Sequence, residues 1–348
     1  MKRLPVALLV SGLALGALLV VGFVLRDSAP NTTAATAPTP LPTQAMDPNM
    51  PEMDMDGDTK PTPVPDSSEM PGMNMGSMEG PVPSDGVPLA TEKQGGQALA
   101  FCLDGEVKVF ELTARPVRWP ILEDVYVTAW TYNGTVPGPM IRVTEGDQVR
   151  VIVKNELPDA TSIHWHGLPV PNNMDGVPPF TQKAIEPGET FPYEFTAAPA
   201  GSYMYHSHVE TDRQIPIGLY APFIIDPKEP EAVRPAVDEI LMLGEWTIGP
   251  DGETYPTMPM AGAEPNYFTI NGRSFPETEN ITVKVGDVVR LRLAGIGQFT
   301  HPMHLHGASF RIVATDGNPV PEAAQLTKDT IAVNPGERYD IEFTATNP

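Results

Sequence analysis

Residues 141–167 read IRVTEGDQVRVIVKNELPDATSIHWHG, and residues 281–307 read ITVKVGDVVRLRLAGIGQFTHPMHLHG. Ile281 lies 140 positions after Ile141, and at that displacement the two stretches align without a gap. Gly146, Asp147 and Arg150 match Gly286, Asp287 and Arg290, while His164, His166 and Gly167 match His304, His306 and Gly307. Self-similarity of this kind marks a repeated structural unit. Within each copy, VRVIVKN (149–155) and VVRLRLAG (288–295) alternate with period two, the period of a strand with one buried face. From residue 99 onward, short stretches of this type are separated by Gly, Pro, Asn and Asp turns, with no long amphipathic helix. The pattern predicts an all-β chain built from two related β-sandwich or barrel units.

The repeat continues with a longer displacement. PGETFPYEFT begins at Pro187 and PGERYDIEFT at Pro335, 148 positions later. In the first copy YEFT leads through AAPAGSYMY to His206 and His208, whereas in the second IEFT leads to ATNP. A further HxH is expected near position 354, beyond Pro348. The expectation is a first unit over 99–230 and a second over 235–348 that lacks its final strand, which would leave sheet edges open.

Histidine is distributed as unevenly as the repeat is regular. The chain has seven, and all fall in HWHG (His164, His166), YHSH (His206, His208) and HPMHLHG (His301, His304, His306). On a strand, i and i+2 share a face, so each HxH aims two imidazoles one way while Trp165, Ser207 and Leu305 point the other. Imidazole suits copper, zinc, iron and nickel. A single zinc is satisfied by about four ligands, so six histidines in pairs argue for more than one ion and for redox or O₂ chemistry.

Composition narrows the rest. A net charge of −22 over 348 residues argues against a nucleic-acid partner. The single cysteine, Cys102, excludes a disulfide framework and any CxxC motif, and its setting in ALAFCL reads as a buried, inert thiol. Lys2 and Arg3 precede an uncharged apolar run from Pro5 to Leu25, long enough to span a bilayer. Residues 1–26 therefore read as a signal peptide or a membrane anchor, with the remainder exported: periplasmic, extracellular or anchored facing outward. Residues 27–98 hold 13 of the 41 prolines and no aromatic residue, a composition expected to form an unstructured linker. Eight of the 16 methionines lie there, in PNMPEMDMDGD and SEMPGMNMGSMEG, and clustered thioethers are soft ligands for Cu(I).

HWHG, DGVPPFTQKAIEPGETFPYEF, GSYMYHSH and GLYAPFIID resemble the first domain of multicopper oxidases, the laccases and their relatives. HPMHLHG, DGNPV and DTIAVNPGE resemble their last domain, so that the likeness covers about residues 100–348. The resemblance implies two cupredoxin-like Greek-key β-sandwiches and copper at type 1, type 2 and binuclear type 3 sites. By the same likeness His164 and His304 would be type 2 ligands, and His166, His206, His208 and His306 type 3 ligands. His301 would be a type 1 ligand, and Asp175 in NMDGVP a proton-delivering catalytic acid; a turn aspartate before glycine is the structural alternative. The implied activity is one-electron oxidation of a phenol or of Cu(I), coupled to four-electron reduction of O₂ to water. The family's final HCH motif is absent within residues 1–348, so copper sites would be incomplete and the chain inactive by itself. Only 93 positions separate His208 from His301, too few for the intervening domain of three-domain laccases. That spacing resembles the two-domain small laccases, which implies a homotrimer sharing each cluster between neighbouring subunits. A non-catalytic, exported copper-binding or copper-resistance protein is the alternative reading.

Overall fold

The computed structural model describes residues 80–231, 234–257 and 264–346. The expected signal or anchor, 1–26, and the methionine-rich stretch lie outside the described residues. Among the described residues no helix is long and apolar enough to cross a membrane.

The first half contains β1 (Cys102–Asp104), β2 (Val107–Pro120), β3 (Tyr126–Tyr132), β4 (Ile141–Thr144), β5 (Gln148–Asn155), β6 (His164–His166), β7 (Thr190–Thr196), β8 (Gly201–His206) and β9 (Tyr220–Asp226), with one turn of helix α1 (Thr211–Gln214). One sheet has the order β1-β2-β5-β7 with β3 against β2, and the other runs β4-β9-β8-β6. Their inward faces meet in one apolar cluster. Trp165 of β6 crosses between the sheets, its ring 5.5 Å from Tyr193 and 4.8 Å from Phe195, both on β7. Burying an indole there turns the alternate positions, His164 and His166, to the opposite face.

The second half contains β10 (Val237–Ile248), β11 (Thr254–Tyr255), β12 (Tyr267–Ile270), β13 (Val288–Gly295), β14 (His301–His304), β15 (Phe310–Thr315), β16 (Asn318–Pro319), β17 (Thr327–Lys328), β18 (Thr330–Val333) and β19 (Arg338–Thr344). The large sheet follows β11-β10-β13-β19-β15-β16, with a second small core around Leu243, Leu293, Phe310 and Val333. Both displacements in the sequence repeat are visible in the ladders. Parallel β2–β5 and antiparallel β5–β7 correspond to parallel β10–β13 and antiparallel β13–β19. The pair Gln148 and Thr196 in the first half becomes Val288 and Thr344 in the second.

The other sheet is where the halves differ. In the first half β6 is paired along its whole length with β8, His164 opposite His206. In the second, β14 pairs with β18 alone among the described residues, and His306 lies in the turn beyond it. The expectation that each HxH lies on a strand therefore holds in full for His164 and His166 alone: β8 ends at His206 and β14 at His304, with His208 and His306 just beyond. The β14–β18 ladder ends at His304 opposite Thr330 and the chain turns there, whereas the β6–β8 ladder runs on through His166.

Two further expectations are corrected. Residues 80–98 are not part of an unstructured linker. Val82 is buried and donates its N–H to the Thr254 carbonyl at 2.8 Å, Ala90 donates to Arg118, and Leu99 donates to Met140. Cys102 is exposed rather than buried. It lies on β1, an edge strand bonded to β2 alone among the described residues, and all three residues of β1 are exposed. An apolar run cannot by itself distinguish an edge strand from a core strand.

Polar contacts join the halves. Trp119 Nε1 donates to the Gly272 carbonyl at 2.8 Å. Arg292, 7% exposed, donates to Asp238 Oδ1 at 2.6 Å and to Ser202 Oγ at 2.7 Å, and Ser202 in turn donates to Asp340 Oδ1 at 2.7 Å. A buried guanidinium needs such a full set of acceptors to offset its desolvation.

Candidate metal centre

β6, the end of β8 and the segment just beyond it present four imidazoles to one region. His164 lies at ring-centroid distances of 5.8 Å from His166, 5.4 Å from His206 and 5.3 Å from His208. One ligand nitrogen from each of His164, His166 and His206 lies within 4.8 Å of the other two. The closest approach is His166 Nδ1 to His206 Nε2, 3.1 Å, a separation that two nitrogens bound to one ion would also have.

Backbone carbonyls orient the rings. His164 Nδ1 meets the Asp175 carbonyl at 2.8 Å, and His206 Nδ1 meets the Ser207 carbonyl at 2.8 Å. In the second half His304 Nδ1 meets the Asp329 carbonyl at 2.8 Å. Each carbonyl can only accept, so each fixes the proton on Nδ1 and leaves Nε2 as the lone pair. This is the arrangement around imidazoles that ligate metals. Burial pushes the proton affinity of His206 down to about 3, and burial with the nearby Arg338 cation pushes His166 down to about 4. Both rings are therefore neutral at neutral pH, as a ligand must be.

The chain around the cluster is built for this placement. Gly176 has φ of +74°, and a Cβ there would overlap the Ile163 carbonyl immediately before His164. This close approach delivers the Asp175 carbonyl to His164. The Asp175 carboxylate is the more distant contact, 3.4 Å from the same nitrogen. Behind β8, Ser207 is fully buried and donates to Gln214 Oε1 at 2.6 Å, which also accepts from Thr161 at 2.9 Å.

The three remaining histidines stand apart from this group. His304 and His306 are exposed neighbours, 4.9 Å between ring centroids. His301 is 8% exposed, with Nε2 3.0 Å from Glu245 Oε2 and the Phe268 ring 6.0 Å away. The Glu245 carboxylate is buried and also accepts from the Gln298 and Phe299 backbone N–H groups. Glu245 is a site residue the histidine pattern does not reveal, although a lone acid within ILMLGEW is a signal for it. Arg338 is another: the first copy has Thr190 at the corresponding place, so PGET becomes PGER.

Comparison with known proteins fits these donors. Two multicopper oxidase family models match, one over residues 113–230 and one over 248–348. The multicopper oxidase MmcO of Mycobacterium tuberculosis is 33% identical over 274 residues, 69% of this chain and 52% of that protein. Copper resistance protein A of Pseudomonas syringae pv. tomato is 39% identical over 153 residues, 44% of this chain and 24% of that protein. The chain thus spans about half or less of the length of these curated relatives. Among solved structures, the blue copper oxidase of Nitrosomonas europaea is 40% identical with a TM-score of 0.64, covering 69% of this chain and 76% of that one.

Proposed function

From a chain that belongs to the multicopper oxidase family, with copper as its cofactor, we propose an exported oxidase that takes single electrons from a small reductant and reduces O₂ to water. The observation that carries the reading is the convergence of His164, His166 and His206, with backbone carbonyls holding Nδ1 of His164 and of His206 so that the lone pair of each lies on Nε2. Copper held there would supply the electron storage and O₂ reduction. The protein holds it through His164, His166, His206 and His208, with His304 and His306 as the other type 2 and type 3 donors. His301 serves the electron-accepting type 1 copper, its ring held by Glu245. Asp175 moves protons at its carboxylate beside His164.

The exposure of His304 and His306 supports completion of each cluster by a neighbouring copy, in a homotrimer. The likeness to copper resistance protein A, together with the methionine-rich stretch, favours Cu(I) over a phenol as the reductant. Copper content and O₂ uptake of the full gene product, with 2,6-dimethoxyphenol or with Cu(I) and with residues 46–78 present or deleted, test the reading. We expect copper-dependent uptake with both reductants and slower Cu(I) turnover after the deletion. Copper binding with no O₂ uptake on either reductant would replace the oxidase by a non-catalytic copper-binding protein.

A further inference from the structure

We propose that Arg338, carried by β19 in the second half, is a positioning residue that sets the relative Cu(I) and Cu(II) affinities of the histidine cluster in the first half. The inference rests on the copper reading above.

The geometry comes from two glycines. A Cβ on Gly167, the residue after His166, would overlap the Arg338 guanidinium. A Cβ on Gly336, two residues before Arg338, would lie 3.4 Å from His166 Cε1. The guanidinium therefore lies against the end of the HWHG strand, in space that only glycine leaves open. It is 4% exposed. Its hydrogen bonds go to carbonyls: Nη1 to Gly336 at 2.8 Å and Nε to Ser202 at 3.4 Å. The carboxylate in its ion pair is Asp316, whose Oδ1 is 3.6 Å from Nη1 and which is itself half-exposed. Asp340, the other nearby acid, is committed to Ser202 and Arg292.

A buried cation matched by one distant, half-exposed carboxylate leaves positive potential around it, because the interior screens weakly. The direction of its own shift agrees: burial holds the Arg338 pKa below its ordinary value despite Asp316 and Asp340. An arginine stays charged throughout, so the field is permanent. Adding one electron to Cu(II) gives Cu(I) and removes one positive charge. A fixed cation beside the ion therefore disfavours Cu(II) more than Cu(I) and raises the potential of the couple.

The test is a pair of competition titrations on the chain, one with a Cu(II) chelator in air and one with a Cu(I) chelator under anaerobic reduction. Arg338→Gln should raise the ratio of Cu(II) to Cu(I) affinity by roughly tenfold, equivalent to a fall of about 59 mV in potential. Arg338→Lys, which keeps the charge, should stay near the parent ratio. Asp316→Asn, which removes the partial counter-charge, should move the ratio the opposite way. Thermal melts of each variant detect misfolding, and Asp316→Asn serves as the readout if Arg338→Gln does not fold. A ratio unchanged within twofold in Arg338→Gln, or equal loss of both affinities, overturns the inference while leaving the copper reading intact. A parent chain that binds neither form of copper overturns both.

Discussion

Gly176 is fixed by contact as well as by φ. Its backbone passes so close to Ile163 that no side chain fits, and this approach sets the carbonyl that orients His164. Gly176→Ala is expected to cost about 2–4 kcal/mol, because it adds left-handed strain to a backbone clash. It should also lower copper occupancy at saturating protein stability, which urea unfolding and metal analysis together would detect. His166 and His206 supply a pH dependence. Their folded-state values, about 4 and about 3, lie below the ordinary value near 6.5. The unfolded chain therefore binds more protons between those limits, and the metal-free protein gains stability as pH rises from about 3 to about 6.5. Acidification from pH 7 to 4.5 should lower the urea midpoint of the metal-free parent more than that of a His166→Gln/His206→Gln variant. Equal shifts would mean that other groups carry the acid sensitivity.

At the scale of elements, the comparison of β6 with β14 separates what was legible in the sequence from what was not. The period-two runs and the HxH spacing place β5, β13 and β6 correctly, because alternation and a buried Trp165 dictate one face. The same spacing misplaces His208 and His306, because where a strand ends depends on the length of its partner ladder rather than on the residues themselves. Cys102 was misread for a related reason: apolar character is shared by edge and core strands. Glu245 and Arg338 were out of reach, since each acts on a histidine far away in sequence and neither belongs to a histidine motif. The Thr161–Ser207–Gln214 cluster behind β8 is likewise a product of packing. Gln214 is fully buried and its Oε1 accepts from both hydroxyls. Gln214→Leu would remove the acceptor that the two hydroxyls share and the donor to the Ala160 carbonyl, at a cost of about 2–4 kcal/mol. A urea midpoint equal to the parent's would show that the hydroxyls find other partners.

At the scale of the whole molecule, the proposed copper cluster would draw its donors from both halves. The first gathers four imidazoles, and the second offers an exposed pair, His304 at the end of β14 and His306 in the turn after it. If each cluster forms between neighbouring copies in a closed ring, donors lost from one half can be restored by another chain. A His166→Ala/His206→Ala variant and a His304→Ala/His306→Ala variant should each fail to bring all six of these histidines to one site alone. Mixed in equal amounts and reassembled, random closed rings would regenerate about one intact site in four. Spectroscopic quantification of coupled copper in the mixture would then show signal absent from either parent variant. Signal that never exceeds the two variants measured separately would locate the complete donor set within a single chain. The His304 and His306 ligands would then have to reach the cluster by a rearrangement of β14 itself.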